Sequence, residues 1–277
     1  MAKRRKRKTS AKRWLGIALR VALAVAILLA ALQLAWLLRP VNETKPLPAL
    51  EESPYTPEDF YWEENLLHCA ADQTVMGIDV SAHQGVIDWQ QVKQAGVEYA
   101  FIRVGNRGYG DGKLYADEYA AENLKQAKAA GIRIGAYLFS QAVSVQEALE
   151  EAEFALRQLE GVALDMPLVY DWEYVSETAR TAAVDRRTLT DCTAAFCRRV
   201  EEAGLEAMIY FNVTQARDLL YLEELTNYRF WLAMYDVAGK FPCKVDFWQY
   251  TNTGKIDGIE GNVDINMMFL YKKQNSA

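Results

Sequence analysis

From residue 75 onward the hydrophobic positions alternate between two periods. Short runs rich in β-branched and aromatic residues, at 75–81, 99–105, 133–140, 167–173 and 207–212, have the composition of buried strands. Between them, at 88–95, 116–130, 145–160 and 186–203, apolar residues recur every three or four positions, the period of a helix with one face on a core. In the last stretch Leu189, Cys192, Phe196, Val200 and Ala203 share that face, and a glycine such as Gly131 or Gly204 follows each stretch, where a helix C-terminus favours it. This βαβα rhythm predicts a parallel sheet with helical crossovers.

A fifth short helix is expected near 214–222, and then the rhythm changes. Runs at 229–235, 245–251 and 263–269 are strand-like, with too little chain between them for crossover helices. Five strands with helices and three without predict an α/β fold, an irregular TIM-like (β/α)5(β)3 barrel. An open doubly wound sheet is disfavoured, because no glycine-rich phosphate loop follows the first strand.

The N-terminal part is of a different kind. Residues 1–13 carry eight positive charges, and an apolar stretch over 14–38 is interrupted only by Arg20 and Gln33. About 20 apolar residues cross a bilayer core, so 14–38 is expected to be a transmembrane signal anchor behind a basic cytoplasmic tail. Export with cleavage of this segment is the alternative. Five of the seven prolines (Pro40, Pro46, Pro48, Pro54, Pro57) fall in 39–74, which reads as an extended extracellular linker, with a short helix expected over 55–69. The domain from 75 to 277 then lies outside the cell membrane.

Charge follows the same division. Ten of the 31 Lys and Arg lie in the first 40 residues with no acid among them, leaving 21 basic against 37 acidic residues in the remainder. An acidic outer domain argues against nucleic acid as a partner, since phosphate binding needs a basic surface. Cys192 and Cys197 fall in one helical stretch too far apart to bridge, while Cys69 and Cys243 could pair in an exported protein. No CxxC or Cys/His cluster points to a metal, and no cofactor motif is present.

Barrel enzymes gather their chemistry at strand ends. The first strand ends in Gly77-Ile78-Asp79-Val80-Ser81, the fourth in Tyr170-Asp171-Trp172-Glu173, and the eighth begins Asn262-Val263-Asp264. Asp171 and Glu173 are two apart and share a face. Barrel closure makes the first and eighth strands neighbours, so Asp79 and Asp264 come together. Clustered carboxylates repel and hold at least one proton near neutral pH, which suits glycoside hydrolysis. A Mg²⁺ or Ca²⁺ site is the rival use of such acids, but no calcium-loop pattern accompanies them and His83 is the only nearby histidine.

The residues that carry these features also carry a family resemblance. Gly77-Ile78-Asp79-Val80-Ser81 with His83-Gln84-Gly85, Phe101-Ile102-Arg103-Val104-Gly105, Gly135-Ala136-Tyr137-Leu138-Phe139-Ser140, Asp171-Trp172-Glu173, Trp231-Leu232-Ala233, Phe247-Trp248-Gln249-Tyr250-Thr251 and Gly258 to Asn266 together resemble the glycoside hydrolase family 25 lysozymes. The resemblance implies an N-acetylmuramidase acting on peptidoglycan as a monomer, without cofactor or metal. It implies Glu173 as general acid, Asp171 as its partner carboxylate, and Asp79 and Asp264 as further acids of the site. Tyr137, Tyr210, Trp231 and Gln249 match positions lining the sugar groove. Leu138 departs from the histidine or aromatic common there. A silent wall-binding module would usually lose an acid, and all four are present. A chitinase-like barrel would expect acids at Pro167 and Val169.

Overall fold

The computed structural model describes residues 49–235 and 241–271. The basic tail, the apolar stretch over 14–38 and the first part of the 39–74 segment lie outside the described residues. Among the described residues no helix is long and apolar enough to cross a membrane.

Eight strands close into a barrel: β3 (Thr74–Val80), β4 (Tyr99–Arg107), β6 (Arg133–Ser140), β7 (Leu168–Trp172), β8 (Ala207–Asn212), β9 (Arg229–Ala233), β10 (Phe247–Gly254) and β11 (Val263–Phe269). A short strand β5 (Leu114–Ala116) pairs antiparallel with the far end of β4. Neighbours from β3 through β10 run parallel, and β11 runs antiparallel to both β10 and β3, which it joins to close the ring. The eight expected strands are therefore all present. The reversal of the last is a feature that its own residue pattern does not show.

Four helices, α1 (Trp89–Gln94), α2 (Ala120–Ala129), α3 (Val145–Gln158) and α4 (Arg186–Glu202), occupy the expected crossovers. Asp88, Ser144 and Asp185 cap α1, α3 and α4 by accepting backbone N–H bonds of the first turn. The expected fifth helix is only a π-type turn at Gln215–Leu219 followed by a 3-10 turn at Leu222–Glu224.

Strands β10, β11 and β3 have a different cover on their outer side. The region expected to hold a short helix forms instead a hairpin of β1 (Phe60–Glu63) and β2 (Leu66–Cys69). Its two-residue turn places Glu64 and Asn65 at φ 48° and 64°, the left-handed pair that matches the twist of a tight hairpin. The aromatic run Phe60-Tyr61-Trp62 favours a strand over a helix. Phe60 meets Trp248 with ring centroids 4.9 Å apart, and Tyr55 stacks on Phe269 at 4.6 Å. The described end of the expected linker is thus packed on the barrel rather than standing away from it. All four cysteines are free thiols.

The barrel interior is filled from below by Tyr99, Phe101, Val169, Met208, Trp231, Phe247 and Met268. Two glycines make room for this layer. A Cβ on Gly77 would lie 2.2 Å from the Tyr99 ring, and one on Gly135 would lie 2.5 Å from Phe101. Above these rings the same strands turn polar.

Candidate active site

Because strand side chains alternate, every second residue of each barrel strand points inward. On β3 this row runs Val75, Gly77, Asp79, and on β7 it runs Val169, Asp171, with Glu173 one residue past the strand's end. On β11 the row is Asp264, Asn266, Met268. Reversal of β11 brings its first residues, not its last, to the open end of the barrel. Asp264 is thereby the direct cross-strand partner of Asp79.

The four acids line one cleft of about 240 Å³, together with Arg103, Tyr137, Tyr210, Trp231, Tyr235 and Gln249; His83 and Asn252 stand at its rim. All eight residues expected at the site are therefore brought together. They are not equally open to a ligand. Trp231 is only 1% exposed and stacks on Phe101 at 4.8 Å, and Gln249 is 3% exposed, so these two form the cleft's floor. Tyr235, at 51% exposure, is the most exposed aromatic of the cleft.

Asp79 is the most firmly held acid. Its Oδ2 accepts from Gln249 Nε2 and from Asn266 Nδ2, each at 2.8 Å. These amides are themselves oriented: Trp231 Nε1 donates to Asn266 Oδ1 at 2.8 Å, and the Tyr210 and Tyr235 hydroxyls donate to Gln249 Oε1 at 3.0 and 2.8 Å. Asp171 differs, because its Oδ1 is buried with no hydrogen-bond partner. An acceptor left bare in this way costs free energy unless a ligand supplies the donor.

Burial raises the pKa of every member of this cluster. Asp171 is pushed well above the carboxylate range by burial and by the nearby charges of Glu173 and Asp79. Asp79 is raised by burial and by Asp264, with the two amide donors pulling the other way. Glu173 is raised by burial, opposed by the Tyr210 hydroxyl and reinforced by Asp264, and burial lifts Asp264 to about 6. Four acids this close titrate as a unit and keep a proton among them near neutral pH.

Three supporting residues have roles that the sequence pattern alone does not assign. Asn266 looks like one more polar residue of a terminal strand, and its inward register is the feature that marks it. Arg103 lines the cleft with its Nε donating to Asp117 Oδ2 at 2.9 Å. Asp117 also accepts from Ala82 N at 2.9 Å and Tyr119 N at 3.0 Å, which fixes the loop after β3. Nothing local marks Asp117, since its partners lie on other segments. Among the described residues no group of three or more His, Cys, Asp or Glu is arranged to hold a metal ion.

This arrangement has known counterparts. Residues 78–259 match the profile described as Glycosyl hydrolases family 25. Lysozyme M1 of Streptomyces globisporus is 27% identical over 215 residues, covering 74% of this chain and 71% of that protein. A family 25 glycosyl hydrolase from Bacillus anthracis is similar in structure with a TM-score of 0.61 at 25% identity, covering 74% of this chain and 93% of that one. The modular autolysin LytC from Streptococcus pneumoniae, solved with a synthetic peptidoglycan ligand, has a TM-score of 0.63 at 23% identity; the match covers 76% of this chain but only 52% of the autolysin, and is a likeness of fold.

Proposed function

The chain belongs to glycosyl hydrolase family 25, and on that premise we propose that it cleaves the β-1,4 bond between N-acetylmuramic acid and N-acetylglucosamine in bacterial peptidoglycan. It is a glycoside hydrolase of the lysozyme type. The observation that carries the more specific reading is the pairing, at one cleft, of a half-buried Glu173 with a buried Asp171 whose Oδ1 lacks a donor.

In this reading Glu173, bearing the proton that the four acids share, gives that proton to the glycosidic oxygen as the bond from the muramic acid C1 breaks. The sugar's own acetamido oxygen then bonds to C1, forming an oxazolinium ring. Asp171 Oδ1 accepts the acetamido N–H and offsets the positive charge that develops on that ring. Glu173, now a carboxylate, takes a proton from a water whose oxygen attacks C1 and reopens the ring. Asp79 stays fixed by its two amides, and with Asp264 it sets the field of the site. Tyr137 and Tyr210 wall the groove from the barrel side.

We also infer that the apolar stretch over 14–38 anchors this domain at the outer face of the cell membrane, a reading supported by its length and by the basic residues before it. Recovery of the full-length chain from the membrane fraction is the expected result. Its recovery from the medium, cut near residue 35, would replace the anchor with a cleaved signal.

The activity is tested on purified peptidoglycan with the full chain and with its Glu173→Gln variant, followed by borohydride reduction and mass spectrometry. Fragments ending in reduced muramic acid, made by the parent and not by the variant, are expected. Reduced glucosamine ends would move cleavage to the other glycosidic bond. Binding without fragments would make the chain a silent wall-binding module.

A further inference from the structure

Strand β7 ends one residue before Glu173. Its ladder to β6 stops at the pair Ser140 and Trp172, and its ladder to β8 stops at Asp171 and Tyr210. Past these rungs, the next two carbonyls of the β7 tip are taken by side chains. Gln141, the residue directly after β6, donates Nε2 to Glu173 O at 2.6 Å. Gln215, in the turn after β8, donates its Nε2 to Trp172 O. The two glutamines approach from the two strands that flank β7, and they are 0% and 2% exposed.

Each glutamine is held at its other end. Gln141 uses its second Nε2 hydrogen on Ser140 O at 2.9 Å, and its Oε1 accepts from the Thr181 hydroxyl at 3.2 Å. Its backbone carbonyl receives Arg180 Nη1 at 2.7 Å, and Arg180 is in turn paired with both carboxylate oxygens of Glu147 at 2.7 and 2.6 Å. Gln215 accepts Asn212 N on its Oε1 at 2.8 Å and returns its own N–H to Asn212 Oδ1 at 3.0 Å.

The two carbonyls so held belong to the two peptide planes that flank the Glu173 α-carbon. Fixing both planes fixes φ and ψ of Glu173, and with them the direction of its Cα–Cβ bond. We propose that Gln141 and Gln215 are a pair of positioning residues that replace the missing rungs of β7 and hold the Glu173 carboxyl on the same face as Asp171. The inference rests on Glu173 as the proton donor. It gives two buried amides, which a strand end could otherwise do without, a task in the reaction.

The test uses the full chain with Gln141→Met and Gln215→Met, which keep side-chain length and remove the donor. Each variant is expected to lose roughly 10- to 100-fold in kcat, the scale of a reacting group displaced by about an ångström, with KM within about twofold of the parent. The titration of the Glu173 carboxyl, followed by carbon-13 NMR, is expected to shift in both. Unchanged kcat and an unchanged Glu173 titration, with only Tm lowered, would overturn the proposal and leave the glutamines as satisfiers of buried carbonyls. If the parent itself proves inactive, the proposed function fails while the NMR titration still decides the clamp. Should either Met variant fail to fold, Thr181→Val releases the far end of Gln141 without touching the β7 tip. A smaller kcat loss at unchanged KM is then expected, and parent-like kcat and titration would overturn the clamp.

Discussion

The floor and the mouth of the barrel are built on the same eight strands, yet they are opposite in design. At the floor, rings fill every gap: Trp231 on Phe101 at 4.8 Å and Tyr99 against Phe247 at 5.5 Å, with glycines where a methyl group would collide. At the mouth, the inward positions hold four carboxylates, one of them with a bare oxygen. Packing of the first kind stabilises, by about 1.5–3 kcal/mol for each large side chain buried. Crowding acids together costs stability, because burial and mutual repulsion disfavour their charged forms. The floor therefore supports a mouth that could not hold itself together.

The strongest break of this contrast is Glu173→Gln. It is expected to lower the rate of muropeptide release by about 10³-fold or more, while calorimetry finds Tm unchanged or raised. A large drop in Tm would show that the mouth, too, is built for stability. Next comes Trp231→Ala, at about 3–5 kcal/mol of lost stability in denaturant unfolding, from the cavity it leaves. That variant also frees Asn266 from its indole donor, so residual activity should fall with it. Loss of stability with the rate intact would mean that floor and mouth are independent.

Gly77→Ala is a smaller probe of the floor. Its new methyl group would meet the Tyr99 ring at 2.2 Å, and overpacking of this kind costs about 1–3 kcal/mol. A neutral effect would show that the Tyr99 ring can move aside. The smallest expected effect is electrostatic. Burial lifts the Asp264 carboxyl to about 6 from an ordinary 3.8, so the fold binds its proton more tightly than the unfolded chain does. Its contribution to stability is complete below about pH 3.8 and is lost as pH rises through 6. Asp264→Asn should therefore melt a few degrees higher than the parent at pH 7, and the gap should close toward pH 4. A gap constant with pH would assign the gain to something other than charge.

Much of the mouth is legible in the amino-acid sequence. Asp171 and Glu173 announce a shared face by their spacing, and each acid sits in an otherwise apolar run. The strands are legible for the same reason, since alternation is written into adjacent residues. The hairpin is not, because Phe60, Tyr61 and Trp62 sit among prolines and acids and their period is too short to read. The roles of Trp231 and Gln249 as floor rather than open groove are hidden as well, since sequence does not say which aromatic is covered.

The order of the eight barrel strands and of the four helices between them, the acids of the site and the family to which they belong are all legible in the sequence alone. Each strand, each helix and each acid at a strand end is marked by residues close together along the chain. The direction of β11, the amides on Asp79 and the glutamines at the β7 tip are settled only by the closed barrel. Asn266 and Asp79 are 187 residues apart, and Gln249 and Asp79 are 170 apart. Contacts at such separations leave no local period, and they form only when the first strand meets the last.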